Sequence, residues 1–112
     1  MEHRKYKRAR SAEASVFNIV VALCADYDRR KNAIAEREIS RRVRMEYIYI
    51  NTRMLNAAGE IVGFAVAESF IREIGSGIGF ASSELDCVSE SAYKTMKRRI
   101  KIKIAENLYL LD

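Results

Sequence analysis

Apolar residues recur every three or four positions through most of this chain, the spacing that gathers side chains on one face of an α-helix. Val16, Val20, Leu23 and Tyr27 form a first row, with Phe17, Val21 and Cys24 beside it and Ile19 widening the face. A face that broad predicts a helix buried from more than one side. Ser11 precedes it as a suitable N-cap, with Glu13 in the first turn, so the helix is expected to begin there. Val16–Leu23 is also rich in β-branched residues, and a strand is the alternative for that stretch. The absence of bounding turn residues favours the helix. Asp26–Asn32 is polar and reads as a turn or a solvated continuation.

A second pattern runs from Ile34 to Ile74, with Ile39, Val43, Tyr47, Ile50, Met54, Ala58, Ile61 and Ala65 on one stripe and Phe64, Ala67, Phe70 and Ile71 carrying it onward. Gly59 and Gly63 share a face within it, where they permit close backbone approach or mark a break. The expectation is one helix bent there, or two helices meeting near Asn56–Gly59. Gly75-Ser76-Gly77-Ile78-Gly79 ends the block as a tight or mobile link. A phosphate-cradling role for these glycines would need a strand ahead of them and a Lys-Ser/Thr pair behind, and neither is present. A third pattern opens at Ser89, with Tyr93, Met96, Ile100, Ile104, Leu108 and Leu111 on one stripe.

The chain has 112 residues and no proline. Average usage would give about six prolines, so their absence leaves long helices free to run. The length suits one domain with a modest core. The predicted fold is all-α, with three to five helices including a long central one, completed by pairing into a homodimer. Residues 1–10 are read as a basic N-terminal arm and 11–112 as a single helical domain.

Little in the sequence favours catalysis. The sole histidine, His3, has no partner motif, and no triad or metal-binding spacing occurs, so no enzyme activity, cofactor or metal is expected. Glu68 and Glu73 read as partners of Arg72 and Arg53 rather than as acid–base groups. Cys24 and Cys87 form no Cys-x-x-Cys pair and read as free thiols, with a disulfide left open. The basic start and the apolar run from Val16 to Ala25 imitate a secretion signal, but no clear small-x-small cleavage site precedes Asp26. The run is also about half the roughly 20 residues of a membrane span. A cytoplasmic protein without membrane contact is expected.

Charge changes the picture more than composition does. The net +5 is concentrated in three clusters: Arg4, Lys5, Lys7, Arg8 and Arg10; Arg29 to Arg44; and Lys94 to Lys103, which contains no acid. Lys94, Lys97, Arg98 and Lys101 share one helical face and repel one another. A polyanion relieves that repulsion and releases counterions, so the face points to double-stranded DNA. The plainer alternative is a solvated face on a helical homodimeric adaptor that binds no nucleic acid. Tyr47, Tyr49 and Tyr93 read as packing residues with hydroxyls at the rim.

The segment Val88-Ser89-Glu90-Ser91-Ala92-Tyr93-Lys94-Thr95-Met96-Lys97-Arg98-Arg99-Ile100 resembles the turn and recognition helix of helix-turn-helix proteins of the sigma-factor region-4 and LuxR type. Val88, Ser89, Tyr93 and Met96 carry the match. Ser82-Ser83 and Asp86-Cys87 stand where that pattern has Ile-Ala and Leu-Gly. The last sixty or so residues are more loosely similar to small phage transcriptional regulators of the ArpU/RinA kind. The resemblance implies a transcriptional regulator that uses a basic C-terminal helix at 89–108, with Ser91, Lys94 and Thr95 facing base edges. Lys97, Arg98 and Lys101 would reach phosphates or bases, and Arg4, Lys5, Lys7, Arg8, Arg41 and Arg44 would contact the backbone. A second register, with Glu38–Glu46 as first helix and turn and Tyr47–Met54 as reading helix, competes with the unbroken stripe from Ile39 to Ala65.

Overall fold

The apolar stripes fold into five α-helices in the computed structural model, which describes residues 2–36 and 38–111, with side chains from residue 14 onward. They are α1 (Glu2–Ala25), α2 (Tyr27–Ile34), α3 (Arg41–Val62), α4 (Phe64–Ser76) and α5 (Glu90–Asn107), with a 3-10 turn at Phe80–Ser82. No strand occurs among the described residues, so the fold is all-α and the β-branched Val16–Leu23 lies within a helix.

Helix α1 begins nine residues ahead of Ser11, which therefore sits inside it instead of capping it. Residues 2–10 hold no glycine or proline and are rich in Arg and Lys, which extend a helix readily. The backbone of the basic segment thus continues α1, while its side chains lie outside the described residues. The second block does not start at Ile34, where α2 ends. It starts at Arg41, after Ser40 turns the chain and its hydroxyl accepts the Val43 N–H at 3.2 Å. From there α3 is unbroken to Val62, so the turn required by the second helix-turn-helix register is not formed.

The break expected near Asn56–Gly59 falls at Gly63. Its φ of 86° and ψ of 151° lie where only glycine rests without strain, and α4 departs from α3 at 113°. Gly59 instead lets the Phe64 ring approach α3 closely, since a Cβ there would run into the ring. Gly75 has a comparable role, because a Cβ would strike the α1 backbone at Cys24 and Ala25. Gly77, with φ of 71°, ends α4 in the left-handed conformation.

The core gathers Val20, Cys24, Tyr27, Met54, Ala58, Phe70, Ile71, Ile74, Tyr93, Ile100 and Ile104 from all five helices. Helices α3 and α5 run antiparallel: Arg53 Nη1 donates to the Asn107 carbonyl at 3.0 Å, and Lys103 pairs with Glu60 at 3.2 Å. The molecule measures 53 × 35 × 21 Å. Its short dimension is about two helix diameters, so the bundle has two layers. Cys24 is buried, Cys87 is half-buried, and both are free thiols. No single helix among the described residues is long and apolar enough to cross a membrane.

Candidate nucleic-acid interface

The third cation cluster lies on α5, and Ser89 decides where that helix starts. Its backbone is extended and its hydroxyl accepts the Ala92 N–H at 3.1 Å, with Glu90 in the first turn. Tyr93, Ile100 and Ile104 are buried in the core, which orients the opposite side outward. Ser91, Lys94, Thr95 and Arg98 are exposed there, and Lys101 is half-exposed beside them. Lys94 pairs with Glu90 on its own helix at 3.1 Å.

Lys97 has a different setting from its neighbours. Its ammonium donates to the Ile78 carbonyl at 2.9 Å and lies 4.8 Å from the centre of the Tyr93 ring. Desolvation and the nearby Lys101 charge lower its pKa, while Glu73 opposes them. The glycine link is therefore tight: Lys97 holds Ile78 from one side, and the Phe80 ring sits 5.9 Å from Tyr93. Glu73, buried on α4, accepts the Tyr93 hydroxyl at 2.7 Å and the Glu84 N–H at 3.1 Å. Burial works to raise the Glu73 carboxyl, but hydrogen bonds from Ser83, Tyr93 and Glu84 outweigh it and hold the pKa below its ordinary value.

Helix α1 adjoins the same face. Arg98 and Lys101 lie 5.5 and 5.4 Å from the ring centre of Phe17 on α1, within cation–π range. Arg4 to Arg10 follow on the same helix, about 10–20 Å from Phe17 along its axis at the α-helical rise. The sequence pattern did not single out Phe17 as a neighbour of cations, because the contact is between helices.

The remaining predicted contacts do not converge here. Asn107 opposes Arg53 on the antiparallel α3, so Arg44 and Lys94 lie on opposite sides of that level, about 33 Å apart at 1.5 Å per residue. Arg41 is exposed on the first turn of α3, and Arg44 is half-buried, donating to the Glu36 carbonyl. Among the described residues, the rest of the second cluster is largely satisfied within the fold, and Arg37 lies outside them. Arg29 pairs with Asp26 at 2.5 Å, Lys31 with Glu68 at 2.8 Å and Arg42 with Glu46 at 3.5 Å. Arg30 is buried. Glu68 pairs with Arg72 at 2.9 Å, whereas Glu73 engages Tyr93 rather than Arg53. The positions that the helix-turn-helix pattern assigns to its first helix, Ser82 to Asp86, form the end of a 3-10 turn and a non-helical segment.

One surface was not anticipated from the sequence. Met45, Ile48 and Tyr49 project from α3 on the side away from Met54 and Ala58, and they are 57, 36 and 47% exposed. Arg53 lies beside them, its guanidinium 4.4 Å from the Tyr49 ring centre and 5.4 Å from that of Tyr109. The stripe from Ile39 to Ala65 hid this face because α3 carries apolar residues on both sides. Among the described residues no cluster of three or more His, Cys, Asp or Glu could hold a metal ion. The chain matches no family model, no curated protein and no solved structure.

Proposed function

We propose that the protein is a small DNA-binding protein, a transcriptional regulator that lays the outward face of α5 against duplex DNA. The observation that carries this reading is the division of α5 into two faces. Tyr93, Ile100 and Ile104 anchor one in the core, while the other presents Ser91, Lys94, Thr95 and Arg98 to solvent with Lys101 beside them. Cations gathered on one helical face neutralise phosphates, and the counterions released drive association. In this reading Ser91, Lys94 and Thr95, near the start of the helix, meet base edges, and Arg98 and Lys101 meet phosphates. The α1 segment from Arg4 to Arg8 supplies further backbone contacts. Lys97 acts differently, by holding the glycine link against α5.

A double variant, Lys94→Glu with Arg98→Glu, tests this reading without disturbing Lys97 or the core. Duplex affinity measured at low salt is expected to fall by about ten-fold or more, since two charge reversals alter several phosphate contacts. The helical circular dichroism should be unchanged. Equal affinity of the variant and the parent would refute the assignment. The second reading, a helical adaptor, draws on the exposed apolar face of α3 and predicts no salt-dependent retention of DNA.

A further inference from the structure

The outward face of α3 plays no part in the nucleic-acid contact proposed above. On an α-helix, positions 41, 45, 48, 49, 52, 56 and 60 fall on one side, and all are exposed. Arg41 stands at the N-terminal end of this side and Glu60 at the other, with Met45, Ile48 and Tyr49 between them. The face extends past Glu60's end of α3 through Phe64, which is 63% exposed and whose ring lies on Gly59. A shallow groove of about 580 Å³ runs along Met45, Tyr49, Thr52, Arg53 and Asn56.

We infer that this face is a two-fold interface between two copies of the chain, with α3 packed antiparallel against the α3 of the second copy. Self-complementarity of charge and shape names the occupant. With the axis passing near Ile50 and Asn51, Arg41 of one copy comes level with Glu60 of the other twice, and the Glu60 carboxylate, which pairs with Lys103 at 3.2 Å in its own copy, is shared between the two cations. Met45 comes level with Asn56, about one helical turn from Gly59 and the Phe64 ring that lies on it in the second copy, so the long thioether can reach that ring in a sulfur–aromatic contact that also occurs twice. Tyr49 meets Thr52, a small side chain at the floor of the groove. A parallel arrangement would set Arg41 against Arg41 and leave Phe64 far from Met45.

The composition agrees. Tyr, Met and Arg are among the residues enriched where protein surfaces meet. The side chains are also preorganised. Arg53 is held between Tyr49 and Tyr109 and bonded to the Asn107 carbonyl, and the Phe64 ring rests against α3 at Gly59. Less freedom is therefore lost on association.

Light scattering over a concentration series, with no nucleic acid present, tests the inference and leaves the nucleic-acid reading untouched. The wild-type chain should reach twice its 12.8 kDa mass. Ile48→Asp should weaken self-association by about ten-fold or more, since a carboxylate would be buried without a partner, with the helical circular dichroism retained. Met45→Glu, at a more exposed position, makes the same demand with less risk to folding. Arg41→Glu and Glu60→Arg should each weaken association, and the two together in one chain should recover part of it, because the exchanged charges still meet across the axis while the Glu60–Lys103 pair is lost. A wild-type chain that stays at single mass, a dimer indifferent to both apolar-face variants, or a double exchange no stronger than its parts would overturn the inference.

Discussion

Arg30 takes a charge into the core. It is 2% exposed, its Nε donates to Asn51 Oδ1 at 2.7 Å, and its Nη2 donates to the Leu23 carbonyl at 2.5 Å. Burial pushes its pKa down, against the pull of Asp26 at 3.9 Å. Asn51 in turn donates to the Tyr27 carbonyl at 3.2 Å, so one arginine and one amide tie α1, α2 and α3 together. Arg30→Met leaves the Leu23 carbonyl and Asn51 oxygen without donors, and a loss of about 2–4 kcal/mol in urea unfolding is expected. Adding Asn51→Leu should recover part of that loss, because an apolar pair is cheaper to bury than an orphaned amide. An Arg30→Met chain as stable as the parent would contradict this account. The sequence could not show it: Arg30 sits in the polar stretch Asp26–Asn32, and its partners lie 7 and 21 residues away. Cys24, by contrast, was legible as a buried thiol from its apolar flanks, and burial, against the nearby charges of Arg30 and Lys101, pushes its pKa up to about 12.

The elements were legible wherever a local signal marked their ends. Ser89 and Gly77 act as the cap and the stop that their residue types imply. Ser11 does not, since a cap forms only where the preceding residues leave the helix, and here they continue it. The break between α3 and α4 was legible in kind but shifted by a few residues, because Gly59 and Gly63 look alike in sequence and only the packing of Phe64 separates their roles. The link from α4 to α5 was legible as a glycine turn, but not its anchoring by Glu73 and Lys97. Glu73 has a folded pKa below its ordinary value of 4.5. Its stabilising contribution is therefore complete above that value and is lost as the pH falls through the depressed folded value. Unfolding measured across that acidic window should show the parent losing stability faster than a Glu73→Gln variant. Parallel curves for the two would remove Glu73 from the anchoring of the link.

At the scale of the molecule, the all-α class and the basic face of α5 could both be read from periodicity, since each depends on residues three and four apart. The fate of the second cation cluster could not. Arg29, Lys31 and Arg42 are matched by Asp26, Glu68 and Glu46, and only the fold brings Lys31 to Glu68. The outward face of α3 was equally hidden, because exposure belongs to the assembled bundle. Two copies joined through that face would carry two α5 helices, which multiplies phosphate contacts without any change in either chain. The central claim remains that α5 meets a polyanion. Fluorescence anisotropy of a labelled duplex titrated with the wild-type chain at rising salt tests it most directly. With about four phosphates neutralised, the logarithm of the association constant should fall linearly against that of the salt concentration, with a slope of roughly −3 to −4. No binding at low salt, or a slope near zero, would contradict the account.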